Sequence, residues 1–293
     1  MLRFAPSPNG LLHLGHALSA IANETMAAAL GKPLTVRMED IDRSRSRPEF
    51  EAAILADLAW LGVAWSPPMR RQSEHFGDYE AALARLRDMG LLYPSFATRR
   101  EIADFCRVPG LPRDPDGAPL FPGDAVVLGA AEAARRRAAG EPSAWRLAMA
   151  DAAARCGDLT FTRTNRLGRP LRRVPADPLA WGDVVLARKD TPTSYHLAVV
   201  VDDAAQGITH VVRGEDLFAA TAVHRVLQTL LGLPAPLYHH HRLILGPDGR
   251  KLSKSNGAES LAAMREAGFT AQDVRNLVAG PAGDTAAAAA GRR

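Results

Sequence analysis

The sequence predicts an α/β protein: a parallel sheet flanked by helices and interrupted by an inserted subdomain. Three observations lead there. Residues 1–40 read as strand, loop, helix, strand, the unit from which parallel sheets are built. Strand-like segments return late in the chain, at 183–187, 197–201 and 210–213, followed by a helix at 217–231. Between them, from 93 to 176, the texture changes, with prolines at 109, 112, 115, 119 and 122 and then an Arg- and Ala-rich helical run around 130–140.

Each element has a local cause. The strand at 2–5 is closed by Pro6 and Pro8, which cannot donate to a sheet ladder. Asn9-Gly10 signals a turn. A helix runs from 15 to 30 through alanines and is stopped by Gly31 and Pro33. Residues 34–38 form the second strand, and apolar positions recur at helical spacing over 49–61 and 74–89. The expected division is a sheet domain in two halves, 1–92 and 177–257, an insertion at 93–176, and a short helical segment with a disordered tail at 258–293. There is no internal repeat.

The bulk numbers narrow the class. A chain of 293 residues, 47% hydrophobic and 23% charged, has the composition of an ordinary globular protein. No stretch approaches the roughly 20 apolar residues that span a bilayer, and the N-terminus lacks the pattern of a signal peptide. Cys106 and Cys156 stand at no motif spacing, so no disulfide framework is expected. A cytoplasmic location follows, with no membrane partner. The formal charge of +4 and pI near 9.4 are compatible with a polyanionic partner.

Two segments carry the chemistry. Pro6-Ser7-Pro8-Asn9-Gly10-Leu11-Leu12-His13-Leu14-Gly15-His16 joins the first strand to the first helix, where backbone N–H groups and the positive helix end favour phosphate. His13 and His16, three apart, share one side of the helical turn, and Gly15 lets a base or ribose approach the backbone. Far along the chain, Lys251-Leu252-Ser253-Lys254-Ser255 puts two lysines on a loop, compact cations suited to a triphosphate. Taken singly, the first reads equally as a helix that starts with two solvated histidines, and the second as solvated surface. As a pair in this order they are far more specific.

The pair resembles the signature of class I aminoacyl-tRNA synthetases. That resemblance implies a Rossmann-like catalytic domain that binds ATP and forms an aminoacyl-adenylate. It gives His13 and His16 the phosphates, Lys254 the transition state and Lys251 an assisting role, with Gly15 beside the nucleotide. Arg3–Pro8, Val36–Asp42, Ser194–Ala198, Val201–Asp203 and Val212–Leu217 are similar to the glutamyl branch of the class. By that alignment Arg3, Ala5, Ser7, Glu39, Tyr195 and Arg213 form a glutamate pocket. Glu39 would meet the α-ammonium, and Arg3 and Arg213 the carboxylates.

About 36 residues follow Gly257, too few for an anticodon-binding domain. The chain therefore most resembles the truncated paralogue family, the glutamyl-queuosine tRNA(Asp) synthetases, in which the insertion serves acceptor binding. The resemblance implies as partners glutamate, ATP with Mg²⁺ held through its phosphates, and tRNA(Asp) carrying queuosine, in a monomer. Two alternatives remain: a truncated glutamyl-tRNA synthetase charging a tRNA 3′ end, and a non-catalytic RNA-binding relative. One departure stands out. Where the family carries zinc-binding cysteines, this chain has Ser95, Ala97, Phe121 and Ala125, so no structural zinc is expected and the insertion must rely on packing alone or be loosely ordered. His239-His240-His241 is not expected to bind metal, because neighbours on a strand point to opposite faces. Asp202-Asp203 reads as structural rather than as a Mg²⁺ site. Arg135–Arg137 and Arg172-Arg173 read as solvated faces that can alternatively meet tRNA phosphates.

Overall fold

The computed structural model describes residues 1–246, 252 and 259–280. β1 (Leu2–Phe4) leads through the proline-bounded loop into α1 (Leu14–Leu30) and back to β2 (Leu34–Met38). β1 and β2 are parallel, Leu2 opposite Leu34 and Phe4 opposite Val36. α1 ends at Gly31, where φ is +60° and the N–H groups of Gly31 and Lys32 close on the carbonyls of Ala28 and Ala27. That left-handed turn is cheap only for glycine. α2 (Pro48–Trp60) starts on a proline, whose missing N–H would be unpaired there anyway. It leads to β3 (Arg70–Arg71), parallel to β2.

Beyond α3 (Phe76–Asp88) come β4 (Leu92–Ser95), α4 (Arg99–Phe105), α5 (Asp124–Leu128), α6 (Ala130–Ala138), β5 (Ala144–Leu147), α7 (Met149–Cys156), β6 (Thr160–Thr164), β7 (Pro170–Pro175) and β8 (Val185–Ala187). The chain continues through α8 (Tyr195–Ala205), β9 (His210–Gly214), α9 (Thr221–Leu230), β10 (Leu237–His241), α10 (Leu261–Glu266) and α11 (Ala271–Ala279). β4, β5 and β8 make an antiparallel sheet. β6 and β7 form a hairpin whose β6 joins β10, which in turn lies parallel to β9. The stretch 93–176 therefore contributes strands to two sheets.

β9 comes alongside β1: Thr209 N–H donates to the Met1 carbonyl at 2.9 Å. The parallel strands thus run β3-β2-β1 on one side and β9-β10 on the other. β1 and β9 meet where the winding reverses, and in open α/β sheets the crevice beyond the strand ends at such a point takes ligands. One apolar core lies between β1, β2, α1, α2, α10 and α11; a second gathers α3, α7, α8, α9, β5 and β8. No helix among the described residues is long and apolar enough to cross a membrane.

Two expectations need correction. Residues 197–201 are not a strand but the first turns of α8, in which Leu197, Ala198, Val199 and Val200 are all buried. A helix buried on every side shows no 3.6-residue period, and a short apolar run with three valines then reads as a strand. Nor does the insertion rely on packing alone: α4, α5 and α6 bury no residue at all. Polar contacts hold these three helices, while β5 and α7 of the same insertion pack Leu147, Met149 and Ala152 into the second core. The Asp124 carboxylate accepts from Ser95 Oγ at 3.1 Å and from the N–H groups of Phe96 and Ala97 at 2.7 and 3.0 Å. Arg146 lies 3.7 Å above the Phe121 ring, and Arg136 bridges to Glu101 at 2.7 Å.

Candidate active site

A cleft of about 900 Å³ opens at the carboxyl ends of β1, β2 and β9. Arg3, Ala5, Ser7 and Glu39 line it from β1, β2 and the loop after β1; Tyr195 and Arg213 line it from the N-terminus of α8 and from β9. His13, Gly15 and His16 stand at its other end. Every described residue assigned to the site from the sequence is in this one cleft. Lys251 and Lys254 lie outside the described residues, and Leu252 between them reaches the cleft wall. A smaller cleft of about 550 Å³, beside Trp145, contains none of these residues.

At the phosphate end the two histidines cap α1 reciprocally. His13 Nδ1 accepts from Gly15 N–H at 3.1 Å, and His16 Nδ1 accepts from His13 N–H at 3.2 Å. An Nδ1 that accepts puts the proton of a neutral ring on Nε2, so each ring presents a donor there. The ring centroids are 3.9 Å apart, close enough for both donors to serve one anionic group. Gly15 is required by His13 itself: a Cβ at position 15 would sit 2.9 Å from Cε1 of that ring.

At the other end lies a ladder of buried charge. Asp203 accepts from Arg3 Nε at 2.9 Å and from Arg37 Nη1 at 2.7 Å; Arg37 also reaches Glu39 at 3.2 Å. Asp202, one residue back, takes Arg70, Gln72 and Tyr79. Burial alone would raise the Asp203 carboxyl, but Arg3 and Arg37 hold it below its usual range. For Glu39 burial outweighs the neighbouring arginines and pushes the carboxyl up, so an ammonium brought beside it would be welcome. The Asp202-Asp203 pair is thus occupied by arginines. Among the described residues no group of three His, Cys, Asp or Glu side chains is arranged to hold a metal ion.

Arg213 is different. It is 5% exposed, and its guanidinium donates to His240 Nε2 at 3.3 Å, His224 Nδ1 at 3.0 Å and Thr221 Oγ1 at 2.8 Å, with no carboxylate among these partners. Burial and the charge of Arg213 hold His224 well below the ordinary histidine range, and bring His240 down to about 2. Three of the five N–H donors are used. One remains on each terminal nitrogen, the number a carboxylate takes end-on. Of the histidine run on β10, His240 faces Arg213, while His239 bonds the Thr164 carbonyl and His241 that of Arg242, so the three do not converge.

A second cleft of about 780 Å³ shares Ser44 and Arg45 with the first and runs between the loop after β2 and the antiparallel sheet. Arg45, Arg99, Arg146, Arg188 and Lys189 line it against only Asp42 and Asp190. Burial and the neighbouring Arg99 lower Arg188, a sign of cations crowded without enough acid. The arginine runs contribute less: Arg135 and Arg136 are paired with Glu132, Glu141 and Glu101, and Arg173 bonds Thr160. The sequence reading missed His224, Thr221 and the basic cleft. His224 is one histidine on an amphipathic helix, eleven positions from its arginine, and no spacing rule connects them.

The family model for the catalytic domain of class I tRNA synthetases (E and Q) matches residues 1–280. A glutamyl-Q tRNA(Asp) synthetase of Rhodobacter capsulatus is 46% identical over 281 residues, covering 94% of this chain and 98% of its own length. One from Nocardia farcinica is 43% identical over 277 residues, 94% of this chain and 82% of that protein. The crystal structure of a glutamate tRNA ligase from Elizabethkingia meningosepticum in complex with its amino acid superposes with a TM-score of 0.71 at 27% identity. It covers 95% of this chain, which spans 60% of that ligase.

Proposed function

Because the chain belongs to the catalytic-domain family of the class I tRNA synthetases for glutamate and glutamine, we propose that it activates glutamate with ATP and passes the glutamyl group to queuosine at the wobble position of tRNA(Asp). The observation that carries the amino-acid assignment is Arg213, a buried guanidinium with neutral partners. Burying an uncompensated cation is costly, and an anionic ligand offsets that cost.

In this reading the glutamate side-chain carboxylate meets Arg213, and Arg3 adds a second guanidinium to the subsite. Glu39 receives the α-ammonium, while Tyr195, Ala5 and Ser7 shape the wall. The α-carboxylate attacks the α-phosphate of ATP, the bond to the β-phosphate breaks, and pyrophosphate leaves. His13 and His16 donate to the phosphates from the start of α1, whose own amides and dipole add to them. Gly15 keeps the nucleotide close to the backbone. Lys254, assisted by Lys251, neutralises charge that develops on the departing group. Mg²⁺ carried on the phosphates would neutralise further charge there. An acceptor hydroxyl then attacks the acyl carbonyl and AMP leaves. No protein nucleophile is needed, since positioning and charge do the work.

The basic cleft beside the site supports an RNA acceptor entering past Arg45 and Arg188. The two glutamyl-Q tRNA(Asp) synthetases at 46% and 43% identity support queuosine as its reacting base. Glutamate-dependent ATP–pyrophosphate exchange, lost in Lys254→Ala, tests activation; undiminished exchange in that variant would remove the catalytic role of the lysine. Labelled glutamate offered to tRNA(Asp) with and without queuosine tests the acceptor. Transfer that persists unchanged on queuosine-free tRNA would point to a 3′ end instead.

A further inference from the structure

The arginines of the cleft differ in what stands behind them. Arg3 and Arg37 share Asp203, at 2.9 and 2.7 Å, and Arg37 also pairs with Glu39 at 3.2 Å, so each meets an acid before any ligand arrives. Arg213 rests on His224, His240 and Thr221. A guanidinium can only donate, so His224 Nδ1 must accept, and the ring proton is on Nε2. That nitrogen lies 3.2 Å from His196 Nδ1, which must in turn accept. The chain Arg213, His224, His196 therefore passes hydrogen bonds inward in one sense and ends without an acid. His196 packs edge-on against Trp181, ring centroids 5.7 Å apart. Burial and Arg213 keep both imidazoles far from protonation, His196 down at about 4.

We propose that His224, held in its Nε2-protonated tautomer between Arg213 and His196, is the positioning residue that makes the Arg213 subsite select a carboxylate over the isosteric amide. The inference rests on the glutamate reading of the cleft. A carboxylate at position 224 would orient the guanidinium equally well, but would neutralise it, and an amide would then bind nearly as well as an acid. A neutral imidazole orients the guanidinium and leaves its charge to be met by the ligand. Removing a hydrogen-bonding partner would tilt the guanidinium; changing that partner's charge keeps its orientation and weakens its pull on an anion. The two effects are separable.

The experiment measures ATP–pyrophosphate exchange with glutamate and with glutamine for wild type, His224→Asp and His224→Gln. The Asp variant is expected to raise KM for glutamate roughly 100-fold, the scale of coupling between close charges, with kcat little changed. The glutamate-to-glutamine ratio of kcat/KM should narrow by about the same factor. The Gln variant, a neutral acceptor, should keep that ratio near wild type. A ratio unchanged in the Asp variant, or collapsed equally in both variants, overturns the inference while leaving the glutamate reading standing. A wild type without glutamate-dependent exchange overturns the reading and the inference with it. Should circular dichroism find the Asp variant unfolded, Thr221→Asp brings the same charge to Nη2 and its ratio decides by the same criteria.

Discussion

Asp202→Asn separates a structural acid from a metal ligand. The Asp202 side chain is fully buried and accepts from Arg70 Nε at 2.7 Å, Gln72 Nε2 at 2.8 Å and Tyr79 OH at 3.0 Å, with Arg37 Nε at 3.7 Å. The substitution keeps the shape, but it removes the charge and turns an NH₂ group toward existing donors. Removing one partner of a buried ion pair costs about 3–5 kcal/mol. Arg37 retains Asp203 and Glu39, and Arg70 retains Asp78, so the lower half of that range, about 3–4 kcal/mol, is the expectation. That is a large part of the roughly 5–15 kcal/mol that holds a domain together. Urea unfolding followed by circular dichroism should register it as a lower midpoint with unchanged slope. A variant within about 0.5 kcal/mol of wild type, the range of neutral surface changes, whose exchange now needs far more Mg²⁺, would refute the structural account.

Three further outcomes are expected. Gly15→Ala should drive the His13 ring from its cap, since the new Cβ would lie 2.9 and 3.1 Å from Cε1 and Nδ1. Stability should move by less than about 1 kcal/mol, because alanine's helix propensity offsets the lost cap, whereas kcat/KM for ATP in the exchange assay should drop tenfold or more, a cost of about 1.4 kcal/mol. Asp124→Ala strips the acceptor from three donors around Ser95–Ala97 and should loosen the insertion by about 2–3 kcal/mol. Limited proteolysis within 96–140 should quicken and transfer to RNA should weaken, with glutamate-dependent exchange retained. Finally, the His196 ring has a native pKa of about 4 against an ordinary 6.5, so below 6.5 the unfolded chain takes up a proton that the native ring refuses. Stability from this residue is complete above pH 6.5 and falls by up to about 1.4 kcal/mol per unit toward pH 4. His196→Asn should flatten that slope, and identical pH profiles for the two proteins would count against the burial of the ring.

The parts that could be read from residues are those with strong local punctuation. β1, α1 and β2 follow from Pro6, Pro8, Gly31 and Pro33, and all three formed within a residue of expectation. α8 defeated the same logic because both its faces are covered, leaving no polar side to set a period. The insertion defeated it for the opposite reason. With no buried residue in α4, α5 or α6, its helical part offers no core-facing pattern, and the organiser there is one carboxylate, Asp124, reaching back across 29 positions to Ser95. The cleft came from resemblance rather than from spacing: nothing in the distance from Arg3 to Arg213 tells that β1 and β9 are neighbours. His224 lay beyond both routes, since its role depends on which atom of a distant arginine it receives.

The unequal footing of Arg3 and Arg213 bears on how such a pocket can drift over evolutionary time. A change at Arg3 takes one of two cations from the buried Asp203 and leaves Arg37 to hold it alone, so a lineage exploring that position would lose folding stability before it sampled a new substrate. Around Arg213 the supports are neutral and exchange only hydrogen bonds, so single substitutions among them break no ion pair in the core. Substrate preference is therefore free to wander on the β9–α9 side of the cleft, while the β1–α8 side stays frozen by the cost of folding.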